Sequence, residues 1–424
     1  MNNKIKLAVA GALFSAASAG NAGIIIPAGD WTLDIGGNVN AYANFSDTDK
    51  NANTISGGVA GANSEGLDDN DTTITTGLLP NYLSVSGTTR QNDVDVSFTI
   101  SIQPGATTSQ SLIQTGQTNQ ENRQAFMTFG DKSWGTVKLG KDLGVFGSNA
   151  ILNDMTLLGV GGAHVNANNT TTIGGIGTGY IYADWRAQVA YTTPNMNGFQ
   201  ATIAMMQPWN PQGNADGPNA ANDTFVRGSH NNPGWEAQAS YSWTGDVAGK
   251  VWVEAMYEDM EDLYVSGNLT AAGAGTDNYS ADAYGIGAQV SVGNLGLVAY
   301  WYDADGVGTT GKFARGLFNA GTEVAPNFKG RDSDGGYVQA TYVIPTGTKL
   351  GVSYGVSNLD EASGENNVAL VKSNERWTVG AYHPLTKHLN LVAEYNNIES
   401  KAMSAAQLPD MESDIMTVGA ILFF

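Results

Sequence analysis

The last twelve residues of the chain, SDIMTVGAILFF, place Met416, Val418, Ala420, Leu422 and Phe424 on one face of an extended strand and a mixed set on the other. Side chains alternate strictly across a strand, so a face kept apolar up to the terminal residue is matched to a non-aqueous surrounding. The opposite end, KIKLAVAGALFSAASAGNA, combines two lysines, a short apolar run of small residues and an A-x-A-like exit at Ala17 to Ala19 or Gly20 to Ala22. That is the form of a cleaved secretory signal, and it predicts removal of residues 1–22 to leave 23–424 as the mature domain. No apolar run after the signal reaches the roughly 18 residues that a membrane helix needs. An exported chain with lipid-facing strands and no spanning helix points to a closed β-barrel, because only helices and closed barrels pair every backbone N–H and C=O inside lipid.

Composition supports one large domain. The chain has 54 Gly and no Cys, which removes disulfide scaffolds, thiol catalysis and Cys-based zinc sites and leaves sheet closure as the source of stability. The formal charge is −20, and loss of Lys4 and Lys6 with the signal makes it −22, which argues against nucleic acid as a partner. Much of the acid lies in polar stretches such as GLDDND (Gly66 to Asp71) and LDEASGE (Leu359 to Glu365), read as solvated loops.

Segments of about ten residues with one apolar face recur along the chain, and sixteen can be counted. WTLDIGGNVNAYANF sets Trp31, Leu33, Ile35, Val39, Ala41 and Phe45 against Thr32, Asp34, Asn38, Asn40 and Asn44. VDVSFTISIQ does the same with Val94 to Ile102 against Asp95 to Gln103. Short connections such as Gln91 to Asn92 and Gly293 to Asn294 alternate with long ones, placed at Ser46 to Leu78, Asp142 to Ile181, Gln207 to Asn232 and Ala304 to Gly335. Eight long loops and seven short turns are what sixteen antiparallel strands need when both termini are periplasmic and the long loops are extracellular. A barrel of that size leaves an aqueous bore, whereas eight strands would be filled by side chains.

The stretch NRQAFMTFGDKSWGTVKLGKD (Asn122 to Asp142) resembles the strand, turn and strand before the constriction loop of trimeric Gram-negative general porins. TTPNMNGFQATIA (Thr192 to Ala204) is similar to a periplasmic turn of that family, and Phe424 is similar to the terminal residue such barrels show to the assembly machinery. The resemblance implies a homotrimer in the outer membrane of a Gram-negative bacterium, in contact with lipid and lipopolysaccharide. Each barrel would pass small hydrophilic solutes and ions by diffusion, narrowed by an inward-folded third loop. It further implies a basic wall of Arg123, Lys138, Lys141 and Arg186 facing loop acids Asp142 and Asp154, and those are the only two acids between Lys141 and Tyr180. For Asp142 and Asp154 the competing reading is a strut that holds the loop to the wall.

The acid excess and the candidate lumen carboxylates Asp34, Glu236, Glu254, Glu258 and Glu394 motivate weak cation selectivity. A second reading within channels is a pore specific for a sugar or small organic ion, with Trp252, Tyr300 and Tyr302 as a sliding surface. An outer-membrane enzyme would need a nucleophile held near a base, and no catalytic set stands out. A secreted β-adhesin is disfavoured because no fixed repeat period is found. His164, His230, His383 and His388 show no metal-site spacing, and neither DADG (Asp303 to Gly306) nor DDND (Asp68 to Asp71) completes a calcium loop, so no metal or other cofactor is expected.

Overall fold

The structure, a computed structural model, describes residues 23–49, 55–60, 70–106, 120–162, 171–211, 225–265, 275–321, 325–405 and 407–424. The expected signal, His164 and residues 66–69 of the GLDDND stretch lie outside the described residues. Strands dominate. The first half of the chain supplies β1 (Ile24–Ala28), β2 (Trp31–Thr48), β3 (Asn70–Thr75), β4 (Tyr82–Gln91), β5 (Val94–Pro104), β6 (Gln120–Asp131), β7 (Gly135–Leu143), β8 (Trp185–Thr192), β9 (Phe199–Met206), β10 (Phe225–Arg227) and β11 (Gly234–Trp243). The second half supplies β12 (Val247–Val265), β13 (Asp277–Val292), β14 (Leu295–Asp305), β15 (Leu317–Asn319), β16 (Phe328–Gly330), β17 (Asp332–Val343), β18 (Lys349–Leu359), β19 (Val371–Pro384), β20 (Leu389–Ala402) and β21 (Met411–Phe423). The hairpin β15–β16 stands apart in a loop.

Nineteen strands form one antiparallel sheet, closed because β21 pairs with β2. Three of them share a column with another strand: β1 runs on from β21 against β2, β3 from β4 against β2, and β10 from β11 against β12. The result is a barrel of sixteen strands, as the alternating segments predict. The seam is tight, since Gly37 donates to the Phe424 carbonyl at 2.9 Å and Phe424 donates back to Gly37 at 3.0 Å. Two-residue turns such as Asn92–Asp93, both at positive φ (49° and 62°), give the twist a hairpin requires.

Alternation sorts the two faces as expected. Val39, Ile100, Ile203, Val253, Ile286, Val338 and Met416 are exposed on the outside, while Asn40, Ser101, Glu254, Gln339 and Thr417 are buried inside. So continuous an apolar exterior suits lipid and would aggregate in water. The paired glycines Gly285 and Gly287 make room for inward rings: a Cβ at Gly285 would stand 2.7 Å from the Tyr300 hydroxyl, and one at Gly287 would overlap the Trp252 indole.

One expectation needs correction. The connection expected from Ser46 to Leu78 contains the end of β2 and all of β3, so the second barrel strand begins at Asn70 and is interrupted at residues 76–81. Residues 76–81 lie between Thr75, which faces Tyr42, and Tyr82, which faces Asn38; six residues oppose three and the excess turns inward. Asn38 and Asn40 donate to the Pro80 and Leu79 carbonyls at 2.9 and 3.0 Å, and Gly77 donates to the Asn40 side chain at 2.9 Å, which pairs the displaced backbone. The arm β1 was likewise not anticipated; it presents Ile24, Ile25 and Ile26 exposed beside β2.

Candidate functional site

Between β7 and β8 the chain turns into the lumen as a long third loop carrying α1 (Ser148–Asn153) and a short 3-10 turn (Met155–Leu158). Its backbone donors are buried and need acceptors, and inward side chains of the far wall supply them. Glu236 accepts from Val145 and Phe146 at 2.5 and 2.9 Å, Glu254 from Gly147 at 3.0 Å, Gln339 from Met155 at 2.6 Å, Glu394 from Val160 and Gly161 at 2.9 and 3.0 Å, and Ser357 from Gly179 at 2.9 Å. Tyr337 and Tyr42 donate to the Ala150 and Leu158 carbonyls at 2.8 and 2.7 Å. Apolar packing of Phe146, Ile151, Met155 and Ile181 against Trp252, Met256 and Tyr300 completes the seat.

This seat overturns two expectations. Glu236, Glu254 and Glu394 are occupied as loop acceptors, and Glu258 accepts from Arg186 at 2.5 Å and Trp209 at 3.0 Å, so of the five candidate lumen carboxylates only Asp34 is exposed. Trp252, Tyr300 and Tyr302 do face inward but are 1%, 4% and 0% exposed beneath the loop, which removes them as a sliding surface.

The six charged residues singled out from the sequence do not converge on one eyelet. Lys138 and Asp142 form an ion pair on the same inward face of β7, and Gln124 donates to Asp142 at 3.0 Å. Asp142 is thus a wall residue, not an acid of the loop, because β7 continues through Leu143. Arg186 faces Asp142 in strand register but turns to Glu236 and Glu258, both at 2.5 Å, with Trp209 stacked 3.9 Å over its guanidinium. Arg123 pairs with Glu121 at 2.7 Å and lies 5.8 Å from the Trp185 ring. Lys141 alternates to the opposite face of β7 from Lys138 and donates to the Asn122 carbonyl at 2.9 Å. Asp154 is buried in the loop as the strut: it caps Thr156 at 2.9 Å, accepts from Tyr180 at 2.9 Å and pairs with Arg376 at 3.4 Å. Burial pushes the Tyr180 hydroxyl well above its ordinary pKa, so it remains a donor.

Arg376 was missed. Its parity on β19, inward with Thr378, Gly380 and Tyr382, was legible, but its partner lies 222 residues away. Other loops pack beside the third loop, on one another and on the wall. Tyr182 donates to Thr310 at 3.2 Å, Trp209 meets Phe313 edge-on at 5.3 Å, and Val59 is held by Asn374 and Ser400 at 3.1 and 2.9 Å. On the near wall, Ser86, Ser97, Thr99 and Lys138 stay partly exposed to the lumen. No group of three or more metal-ligating side chains occurs among the described residues. His383 bonds Thr348 at 2.9 Å, and His230 bonds Asn210 at 2.9 Å.

A closed barrel of sixteen strands with a polar interior, an apolar exterior and a third long loop tied across its lumen is an outer-membrane channel in architecture. The profile of the Gram-negative porin family matches residues 7–402. The chain belongs to that family, which makes it a multi-pass β-barrel of the outer membrane, and family and fold point to a channel.

Among solved structures, the outer-membrane channel DcaP of Acinetobacter baumannii is similar at TM-score 0.65 and 14% identity, covering 94% of this chain and 99% of that one. OmpF of Salmonella typhi in complex with daunomycin is similar at TM-score 0.55 and 16% identity over 95% and 100%. The trimer form of in-vitro folded OmpT of Vibrio cholerae is similar at TM-score 0.52 and 13% identity over 93% and 99%. No match is found among curated protein sequences.

Proposed function

We propose that the protein is a homotrimeric diffusion channel for small hydrophilic solutes and ions, weakly cation-selective, exported with loss of residues 1–22. The observation that carries this reading is the one-sided seating of the third loop. It buries the aromatic far wall and leaves the Ser86, Ser97, Thr99 and Lys138 side as the lumen surface in contact with water. Lys138 with Asp142 and, nearer the periplasmic turns, Arg90 with Asp95 are charged pairs on that face, while Arg186, Arg123 and Asp154 hold loops. With four lumen carboxylates occupied, any cation preference falls to Asp34, the one of the five that stays exposed. Exposed charges act over only about 8–10 Å at physiological salt, so the preference is small.

The trimer is supported by the outer girdle. Trp235, Tyr257, Tyr284, Trp301, Tyr354, Trp377 and Tyr395 form an exposed aromatic arc from β11 to β20. The sector from β21 through β7 offers Met416, Phe45, Ile74, Leu83, Ile100 and Met127, with no outward Trp or Tyr above its periplasmic turns. Interfacial Trp and Tyr mark lipid contact, so the arc without them suits a second copy, and trimerisation carries over from the OmpT likeness. Planar-bilayer recording of detergent-extracted protein is expected to give ohmic steps in groups of three, with a small reversal potential of cation sign in a KCl gradient. A potential of anion sign would overturn the selectivity, and steps arriving singly would overturn the trimer.

A further inference from the structure

The inward excursion at residues 76–81 and the third loop enclose a cavity of about 520 Å³ against the tops of β6 and β8, a volume in the range of small-molecule sites. Its floor is apolar and assembled from separate pieces of chain: Leu78 from the excursion, Leu152 and Leu157 from the third loop, and Ile173 from the loop's return. Its rim carries two ion pairs, Arg123 with Glu121 at 2.7 Å and Lys312 with Asp184 at 3.4 Å.

Each pair has one covered and one open end. The Arg123 and Asp184 side chains are 9% and 15% exposed, whereas Glu121 and Lys312 are 43% and 39% exposed. The open ends of the two pairs therefore have opposite sign, beside an apolar floor, and Lys141, which lines the cavity and donates to the Asn122 carbonyl at 2.9 Å, adds a second open cation to that of Lys312. Tyr182, also lining the cavity, has its hydroxyl pushed up to about 12 by burial and adds no charge.

We propose that this cavity is a subsite for a small amphipathic zwitterion, an α-amino acid with an apolar side chain. Its ammonium lies toward Glu121, its carboxylate toward Lys312, and its side chain on Leu78, Leu152 and Ile173. The inference rests on the channel reading and names a solute class for it. A glycine zwitterion satisfies the rim without the floor; 3-phenylpropionate and phenethylammonium satisfy the floor with one half of the rim.

The test is dose-dependent reduction of open-channel current in planar bilayers by L-phenylalanine, glycine, 3-phenylpropionate and phenethylammonium, each scaled to the open current of the variant recorded. Phenylalanine should act at about tenfold lower concentration than any of the other three, the factor expected of one apolar group in a fitted site. Leu152→Ser and Lys312→Gln should each raise its half-effective concentration several-fold, and Leu152→Met, which keeps the apolar floor, should not. Equal potency of 3-phenylpropionate, equal potency of glycine, or no response to the variants would overturn the subsite while the channel stands. Absence of ohmic current from folded protein would overturn the channel reading instead.

Discussion

Arg376→Met is expected to loosen the third loop between Asp154 and Gly161, giving a larger and noisier single-channel current and earlier thermal loss of the folded, gel-resistant barrel. Arg376 and Asp154 are 2% and 1% exposed, so removing the guanidinium leaves a carboxylate buried with Tyr180 and the Thr156 donors as its partners. Breaking a buried pair from one side costs about 3–5 kcal/mol. Each remaining charged hydrogen bond, such as those from Val160 and Gly161 to Glu394, contributes only about 1.5–3 kcal/mol. The penalty is therefore comparable to one or two of the tethers around it: enough to unseat this stretch, but not the segment held by Glu236 and Glu254. The double variant Arg376→Met/Asp154→Leu should recover most of the stability, because apolar replacement of both partners is close to neutral. Native current noise and native thermal midpoint in the single variant would show that the pair does not hold the loop.

Gly37→Val is expected to block barrel closure and cut the folded yield by more than tenfold, read as the fraction of protein that resists unfolding on an unheated gel. A Cβ at Gly37 would meet the Tyr82 carbonyl and stand 2.9 Å from the Phe424 ring. The carbonyl is backbone on the neighbouring strand and cannot rotate away, which places this clash beyond the roughly 1–3 kcal/mol of ordinary overpacking. It also falls at the seam between the first and last barrel strands, the most non-local pairing in the chain and the one that removes the sheet's edges. Phe424→Ala keeps the two main-chain bonds to Gly37 and should fold in detergent nearly as well as the native chain. A large loss of Phe424→Ala from the outer membrane of cells, set against normal folding in detergent, would locate the role of the ring in assembly. Normal yield of Gly37→Val would refute the seam argument.

The strand faces were legible because alternation with period two is local. Val94 to Ile102, Met416 to Leu422 and the inward parity of Glu254 or Glu394 follow from neighbours in sequence, and so do the turns, where Asn and Asp at 92 and 93 tolerate positive φ. The number of columns follows from counting such segments, and the apolar outer face places the protein in a membrane.

Charge pairing was not legible, because it depends on which strands face one another across a lumen and on the path of a loop. Asp142 belongs to the wall because β7 runs one residue beyond it. Arg186 turns to Glu236 and Glu258, fifty and seventy-two residues on, rather than to the loop. Glu394 looks like a pore carboxylate in sequence and is an acceptor for buried loop N–H groups in the fold. The inward excursion at 76–81, read as loop, exists because Asn38 and Asn40 on the adjacent strand bind its carbonyls. The sequence by itself determined a sixteen-stranded barrel and the alternation of faces along its regular strands, since both rest on local periodicity and the need to pair backbone in lipid. Only the tertiary structure decided which inward groups meet water and which anchor the loop, since burial of the loop's backbone commits its acceptors before any solute can use them.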